Sequence, residues 1–168
     1  MAHENSHDIT TVKAIEDWYR NNIWGHRQDN DDSLFEVMSL QVFQAGLTWK
    51  MILLKRNGFR KAFYNWNIDK VSLMVIEDIK RLSENQDIIR NKAKIAAVIQ
   101  NACTIQKIQA EYGSFCKWFY DVIPGNAYPS LQQELRRHFK FMGPEISRMW
   151  LMASGRISKE EGEKYSPK

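Results

Sequence analysis

The sequence predicts an all-α protein, and three observations predict it. Apolar residues recur at helical spacing, and no stretch shows the strict alternation of a half-buried strand. Helix-capping residues precede the periodic stretches. Gly and Pro are few, eight and four in 168 residues, and they stand where those stretches end. No repeat, low-complexity segment or Pro/Gly-rich linker divides the chain. With 43% hydrophobic residues, enough for a packed core, it reads as a single domain over 1–168, or two intimate helical lobes.

The elements follow in order. A first helix covers about Thr10 to Tyr19, with Ile15 and Trp18 on its apolar side. The polar loop "NIWGHRQDNDDS" offers Asp32 or Ser33 as the cap of a second helix, Ser33 to Gln44. Another begins near Thr48 and is broken by Asn57-Gly58, after which a short helix holds Phe59, Ala62 and Phe63. Asp69 opens the next, and "VIEDIKRL" makes one more. The longest stripe is Ile95, Val98, Ile99, Ala102, Ile105 and Ile108, ended by Gly113. Ser114 caps a short aromatic helix that stops at Pro124-Gly125. Ser130 starts a helix of about nine residues, the tight turn "HFKFMG" follows, and Pro144 opens the last helix, with Gly155 as its C-cap. Two helices joined by a short Gly-containing hairpin recur among DNA-binding folds; an ordinary αα-hairpin has the same spacing.

Composition narrows the function classes. No apolar run is long enough to span a bilayer, and "MAHENSHDITTVK" has no apolar leader segment, so a cytoplasmic protein without a membrane partner is expected. Two cysteines, Cys103 and Cys116, make no disulfide framework, and their apolar helical neighbours predict packing roles. The four histidines, His3, His7, His26 and His138, show no zinc-ligand spacing with one another or with the cysteines, so no metal is expected. There is no P-loop, GxGxxG or GxSxG. A net charge of +4 permits a polyanionic partner without requiring one.

The stretch "LQVFQAGLTW", Leu40 to Trp49, carries the most specific signal. It begins as a core helix and ends in two glutamines, a small Ala-Gly pair, an apolar Leu and a Trp. If this segment meets the loop after the first helix, Trp18, Tyr19, Trp24 and Trp49 form an aromatic box with Gln41 and Gln44 near its mouth. Aromatic faces stack on bases, and a Gln amide can accept from and donate to the edge of adenine. Each ring taken alone reads more readily as core.

Four segments in order, "YRNNIWG", "LFEVMSLQVFQAGLTWKMILLKR", "IIRNKAKIAAVIQNA" and "FKFMGPEISRMWLMASG", resemble DNA-3-methyladenine glycosylase I. The resemblance runs from about Tyr19 to Gly155. It implies a helix-hairpin-helix DNA glycosylase-like helical bundle that removes 3-methyladenine from alkylated double-stranded DNA by base flipping, as a monomer and with water as the nucleophile. It further implies Tyr19, Trp24 and Trp49 as base-stacking walls and Gln41 as the base-edge reader at the catalytic position. Gly46 and Leu47 become the wedge that fills the gap left by the flipped base. Lys140 and Gly143 of the hairpin would present backbone N–H groups and a helix N-terminus to a phosphate.

The departures from the family are specific. Gln41 stands where the family has a pocket glutamate, which removes the negative charge that favours a cationic base. Glu16 stands at a family pocket aromatic and is expected to face solvent. Arg20 and Glu160 fall at the places of zinc ligands, and the family's cysteines are missing from both terminal segments, so the zinc clip is expected to be lost. The termini, 1–9 and 159–168, are then held by packing or mobile. His138 replaces a hairpin Gly, which predicts an altered turn. Two other readings stay open: a catalytically weak or inactive DNA-binding protein that recognises damaged or flipped bases, and a helical scaffold without a DNA role.

Overall fold

The computed structural model describes residues 2–167, with side chains from Val12 onward. Eleven α-helices follow one another with no strand among the described residues: α1 (Ala2–Asn22), α2 (Asp31–Gln44), α3 (Trp49–Leu54), α4 (Arg56–Ala62), α5 (Ile68–Ser72), α6 (Ile76–Leu82), α7 (Lys92–Tyr112), α8 (Phe115–Lys117), α9 (Tyr128–His138), α10 (Pro144–Ala153) and α11 (Lys159–Glu163). α8 continues into a wider π-type turn at Trp118–Val122.

α2 is the central helix, and all ten residues from Leu34 to Phe43 are buried. Such all-round burial needs neighbours on every side, and α10, α7, α3, α8 and α5 supply them. The core is largely aromatic. Phe63 lies flat on Trp66, with centroids 4.8 Å apart, and Phe119 stacks on Trp150 at 4.5 Å. α7 places Ile95, Val98, Ala102 and Ile105 against this core along the expected stripe, and Gly113 closes it with φ +96.

Several boundaries differ from the sequence expectation. α1 extends well beyond Thr10–Tyr19. α2 is capped by Asn30, whose side chain accepts from Ser33 N–H, not by Asp32 or Ser33. Asp32 instead accepts from Ile68 N–H, and Asp31 accepts from Phe115 and Cys116 N–H, so both acids tie α2 to distant segments. Asn57-Gly58 does not break a helix; the break is at Lys55, and Gly58 lies inside α4. Gly58 is required by packing, because a Cβ there would lie 2.1 Å from the carbonyl oxygen of Asp87. Asn67, not Asp69, caps α5. α9 begins at Tyr128, with Pro129 in its first turn. Gly155 follows the C-cap residue Ser154 and adopts φ +69.

The C-terminal segment is packed. Glu161 accepts from Tyr128 N–H at 2.9 Å, Arg148 donates to the Gly162 carbonyl at 3.2 Å, and Tyr165 packs on Tyr128. These contacts fasten α11 to α9 and α10. At the other end, residues 2–9 are part of helix α1.

Candidate base-binding cavity

Helical phase sorts the aromatics of α1. Glu16, Tyr19 and Arg20 are spaced i, i+3 and i+4, so they share one face. That face meets α3, and the two helices enclose a cavity of about 530 Å³ lined by Glu16, Tyr19, Trp24, Gln44, Trp49 and Met149 among others. The volume falls within the range of ligand sites, roughly 300–1,000 Å³. Tyr19 meets Trp49 edge to face at 5.1 Å. Trp24 and Trp49 are half-buried, so their rings belong partly to the core and partly to the cavity. Trp18 lies one residue out of phase and turns away; the Arg56 guanidinium sits 4.6 Å from its ring centre. The expected box therefore forms from Tyr19, Trp24 and Trp49 without Trp18.

Trp24 is set by backbone contacts far away in sequence. Gly25 N–H donates to the Ala153 carbonyl, and Tyr120 Oη both accepts from Gln28 N–H and donates to the Ser154 carbonyl. The end of α10 thus holds the loop that carries Trp24. This close approach requires Gly155, since a Cβ there would lie 2.9 Å from Gly25 O and 3.0 Å from Arg27 N.

Gln41 is not at the mouth. It lies one turn before Gln44 on α2, is 1% exposed, and is absent from the cavity lining. Neither its Oε1 nor its Nε2 has a hydrogen-bond partner, and the buried Tyr19 hydroxyl has none either. Burying an amide without partners costs about 1–3 kcal/mol, so these atoms are predisposed to bond anything polar that reaches them. Burial, and then the nearby Glu36 charge, push the Tyr19 phenol well above its usual range, with Arg56 opposing. Tyr19 is therefore a neutral hydroxyl, able to donate or accept.

Gly46 and Leu47 form the turn after α2. Gly46 is exposed with φ +79, and Gln44 Nε2 donates to the Leu47 carbonyl at 2.9 Å. A residue not singled out from the sequence anchors this turn. The Lys94 ammonium, 7% exposed, reaches from α7 to donate to the carbonyls of Phe43 (3.0 Å) and Ala45 (2.7 Å). It satisfies the C-terminal carbonyls of α2 and complements its dipole.

The hairpin between α9 and α10 carries a second such residue. Asn101 on α7 is fully buried; it accepts from Lys140 N–H at 2.8 Å and donates to Lys140 O at 3.2 Å. The Lys140 N–H is thus already used and is not a free phosphate donor. Its side chain is exposed, and Gly143 stands at the N-cap of α10 with open space on its Cα. Neither buried polar side chain could be assigned from local pattern, because its partner lies 39 to 51 residues away. His138 ends α9 in helical backbone and packs edge-on to Trp118; the left-handed residue of the turn is Phe141, φ 58.

Glu16 lines the cavity and is half-buried, which corrects its expected place in solvent. The zinc set implied by the resemblance does not fit this chain. Arg20 is a cation that pairs with Asp17 at 3.5 Å, and Glu160 is exposed. No group of three or more His, Cys, Asp or Glu side chains suited to a metal occurs among the described residues, and the side chains of His3 and His7 lie outside them. Cys116 donates to the Gln28 carbonyl, and burial pushes its thiol up to about 12, so it is a packing residue. No described helix is long and apolar enough to cross a membrane.

The chain is similar to known proteins in sequence and in fold. Residues 9–135 match the methyladenine glycosylase family. DNA-3-methyladenine glycosylase 1 of Escherichia coli (strain K12) is 29% identical over 160 residues, which covers 83% of this chain and 84% of that one. A crystal structure of 3-methyladenine DNA glycosylase I superposes with a TM-score of 0.76 at 30% identity, covering 86% of this chain and 90% of the other. A Tyr-to-Phe variant of 3-methyladenine DNA glycosylase I, in complex with 3-methyladenine, gives 0.77 at 28% identity over 86% and 88%. With three quarters of its length matched and the same all-helical glycosylase fold, the chain belongs to the methyladenine glycosylase family.

Proposed function

We propose that this protein excises 3-methyladenine from alkylated double-stranded DNA by hydrolysing the N-glycosidic bond. The observation that carries the reading is the unpartnered Tyr19 hydroxyl of an aromatic cavity wall, together with the unpartnered Gln41 amide one turn from the lining residue Gln44. A planar base with a donor–acceptor edge suits both features. The base would stack on Trp24 and Trp49, and its edge would reach the buried Gln41 amide only after side chains of the wall rearrange. The relative solved with 3-methyladenine supports this choice of base.

The chemistry asks little of the protein. The 3-methylated base is a cation while it is attached to deoxyribose. Breaking the C1′–N9 bond returns its electron pair to the ring and neutralises that charge. A water oxygen then bonds to C1′ and loses a proton to solvent. No strong general base and no metal are needed, and we assign no cofactor. What the protein supplies is extrusion of the nucleotide, stacking, and choice of base.

DNA would be engaged from two places. Leu47, with Gly46, enters the stack beside the flipped nucleotide. The Lys140 side chain and the Gly143 end of α10 meet a phosphate, acting as a hairpin between α9 and α10. We assign a monomer acting where the DNA is, in the cytoplasm. A second reading, binding of damaged or flipped bases without cleavage, is favoured by one feature, the amide of Gln41 in place of a carboxylate.

The test is chromatography of bases released from methylated duplex DNA. The expected product is free 3-methyladenine, with release greatly slowed in Trp49→Ala. Tight, salt-sensitive binding without any release would favour the second reading.

A further inference from the structure

The cavity has a charge layout that the stacking rings do not explain. Among its lining residues Glu16 is the only carboxylate, and Arg20, Lys50 and Lys159 are the cations. The two signs are placed differently. Arg20, Lys50 and Lys159 are exposed, and two of them have acidic neighbours, Asp17 at 3.5 Å and Glu163 at 3.8 Å. Glu16 is half-buried, shares a face of α1 with Tyr19 and Arg20, and makes no ion pair within 4 Å among the described residues, Arg20 pairing with Asp17 instead. A carboxylate on an aromatic wall that is not held in a close ion pair, with its nearest helix-face cation Arg20 turned to Asp17, is suited to a cationic ligand. Exposed cations at the rim are suited to the phosphates that flank it.

We propose that Glu16 is the selectivity residue of the cavity, supplying the negative charge that prefers a cationic methylated base over neutral adenine. The proposal rests on the base-excision reading above and deepens it. The neutral Gln41 amide can read the shape and edge of a purine, but it cannot distinguish the charge. Glu16 lines the cavity from α1, whereas Gln41 lies buried on α2 behind that lining, so the two functions are divided between two helices. A salt bridge that is half screened at a cavity wall is worth about a fivefold to tenfold preference.

The test separates charge from shape with two probes that cannot be cleaved. One is 3,9-dimethyladeninium, a permanent cation, and the other is neutral 9-methyladenine. Binding is followed by quenching of tryptophan fluorescence and by calorimetry. The wild type is expected to bind the cation more tightly. Glu16→Gln should weaken the cation about fivefold to tenfold and leave the neutral probe unchanged, and Glu16→Asp should restore part of the difference. Thermal unfolding of each variant shows that the fold is retained. If Glu16→Gln leaves the ratio of the two affinities at its wild-type value, Glu16 is not the selectivity residue, although the cavity still binds bases. If neither probe binds the wild type, the base-excision reading fails and this proposal fails with it.

Discussion

Lys94→Met isolates the link between the core and the turn that carries Gly46 and Leu47. The ammonium makes two hydrogen bonds, at 3.0 Å to Phe43 O and 2.7 Å to Ala45 O, and replaces the missing donors at the end of α2. Bonds to a charged group contribute about 1.5–3 kcal/mol each. Burial opposes this, since desolvation lowers the pKa of the ammonium and so destabilises the charged form. Methionine keeps the unbranched stem, one atom shorter, and removes both the bonds and the desolvation cost, so the net loss is about 2 kcal/mol. In a domain of this size each kcal/mol shifts the melting temperature by roughly 2–4 °C, so the melt should fall by about 4–8 °C. Scanning calorimetry measures that. A second readout is affinity for duplex DNA with a tetrahydrofuran abasic analogue, which needs the turn, beside binding of the free base, which does not. The duplex affinity should fall and the base affinity should hold. A melting temperature within a degree of the wild type, with unchanged duplex affinity, would refute the anchoring role.

Three further outcomes are expected. Leu47→Ala combined with Lys140→Ala should weaken duplex binding and lower the slope of log affinity against log salt by about one, read by anisotropy titration; unchanged binding would count against this docking mode. Burial alone would raise the Asp31 carboxyl, but hydrogen bonds from Gln109, Phe115 and Cys116 outweigh it and hold the folded pKa below the usual value. The unfolded value is about 3.9, so this stabilisation is full above roughly pH 4 and is lost as pH falls through the folded value. Asp31→Asn should therefore lower stability at neutral pH and flatten the acid limb in urea titrations. Gly155→Ala places a Cβ at φ +69 against the backbone of Gly25 and Arg27. It should cost about 1–3 kcal/mol and weaken base binding by moving Trp24, whereas Gly46→Ala, with open space and only the φ penalty, should leave base binding intact.

What could be read from the sequence was local. The stripe from Ile95 to Ile108 located α7, and Thr48, Ser114 and Pro144 marked three helix starts, because periodicity and capping act within a turn or two. Asp32 was read as a cap, yet its carboxylate binds the start of α5, and that of its neighbour Asp31 binds α7 and the start of α8. Gly58 looked like a breaker because a glycine needed for close packing and one needed for a turn are the same letter. The cavity was legible in its parts, Tyr19, Trp24 and Trp49, but not in its phase. Trp18 fails to join because one residue rotates a side chain by about 100° around the helix. Gln41 was expected near the mouth, and its depth was not legible because burial is set by the helices packed around α2. Lys94 and Asn101 sit in the α7 stripe like solvated polar residues, and only the three-dimensional approach of α2 and the hairpin gives them partners.

The most direct measurement is the initial rate of 3-methyladenine release from methylated duplex DNA by the wild type, Gln41→Glu and Gln41→Ala side by side. Release by the wild type is expected, with a clear loss in Gln41→Ala, which removes the amide but leaves the aromatic walls. Release by Gln41→Ala at the wild-type rate would contradict the reading of the buried amide. Release by Gln41→Glu alone would show a scaffold able to excise the base that, as it stands, does not.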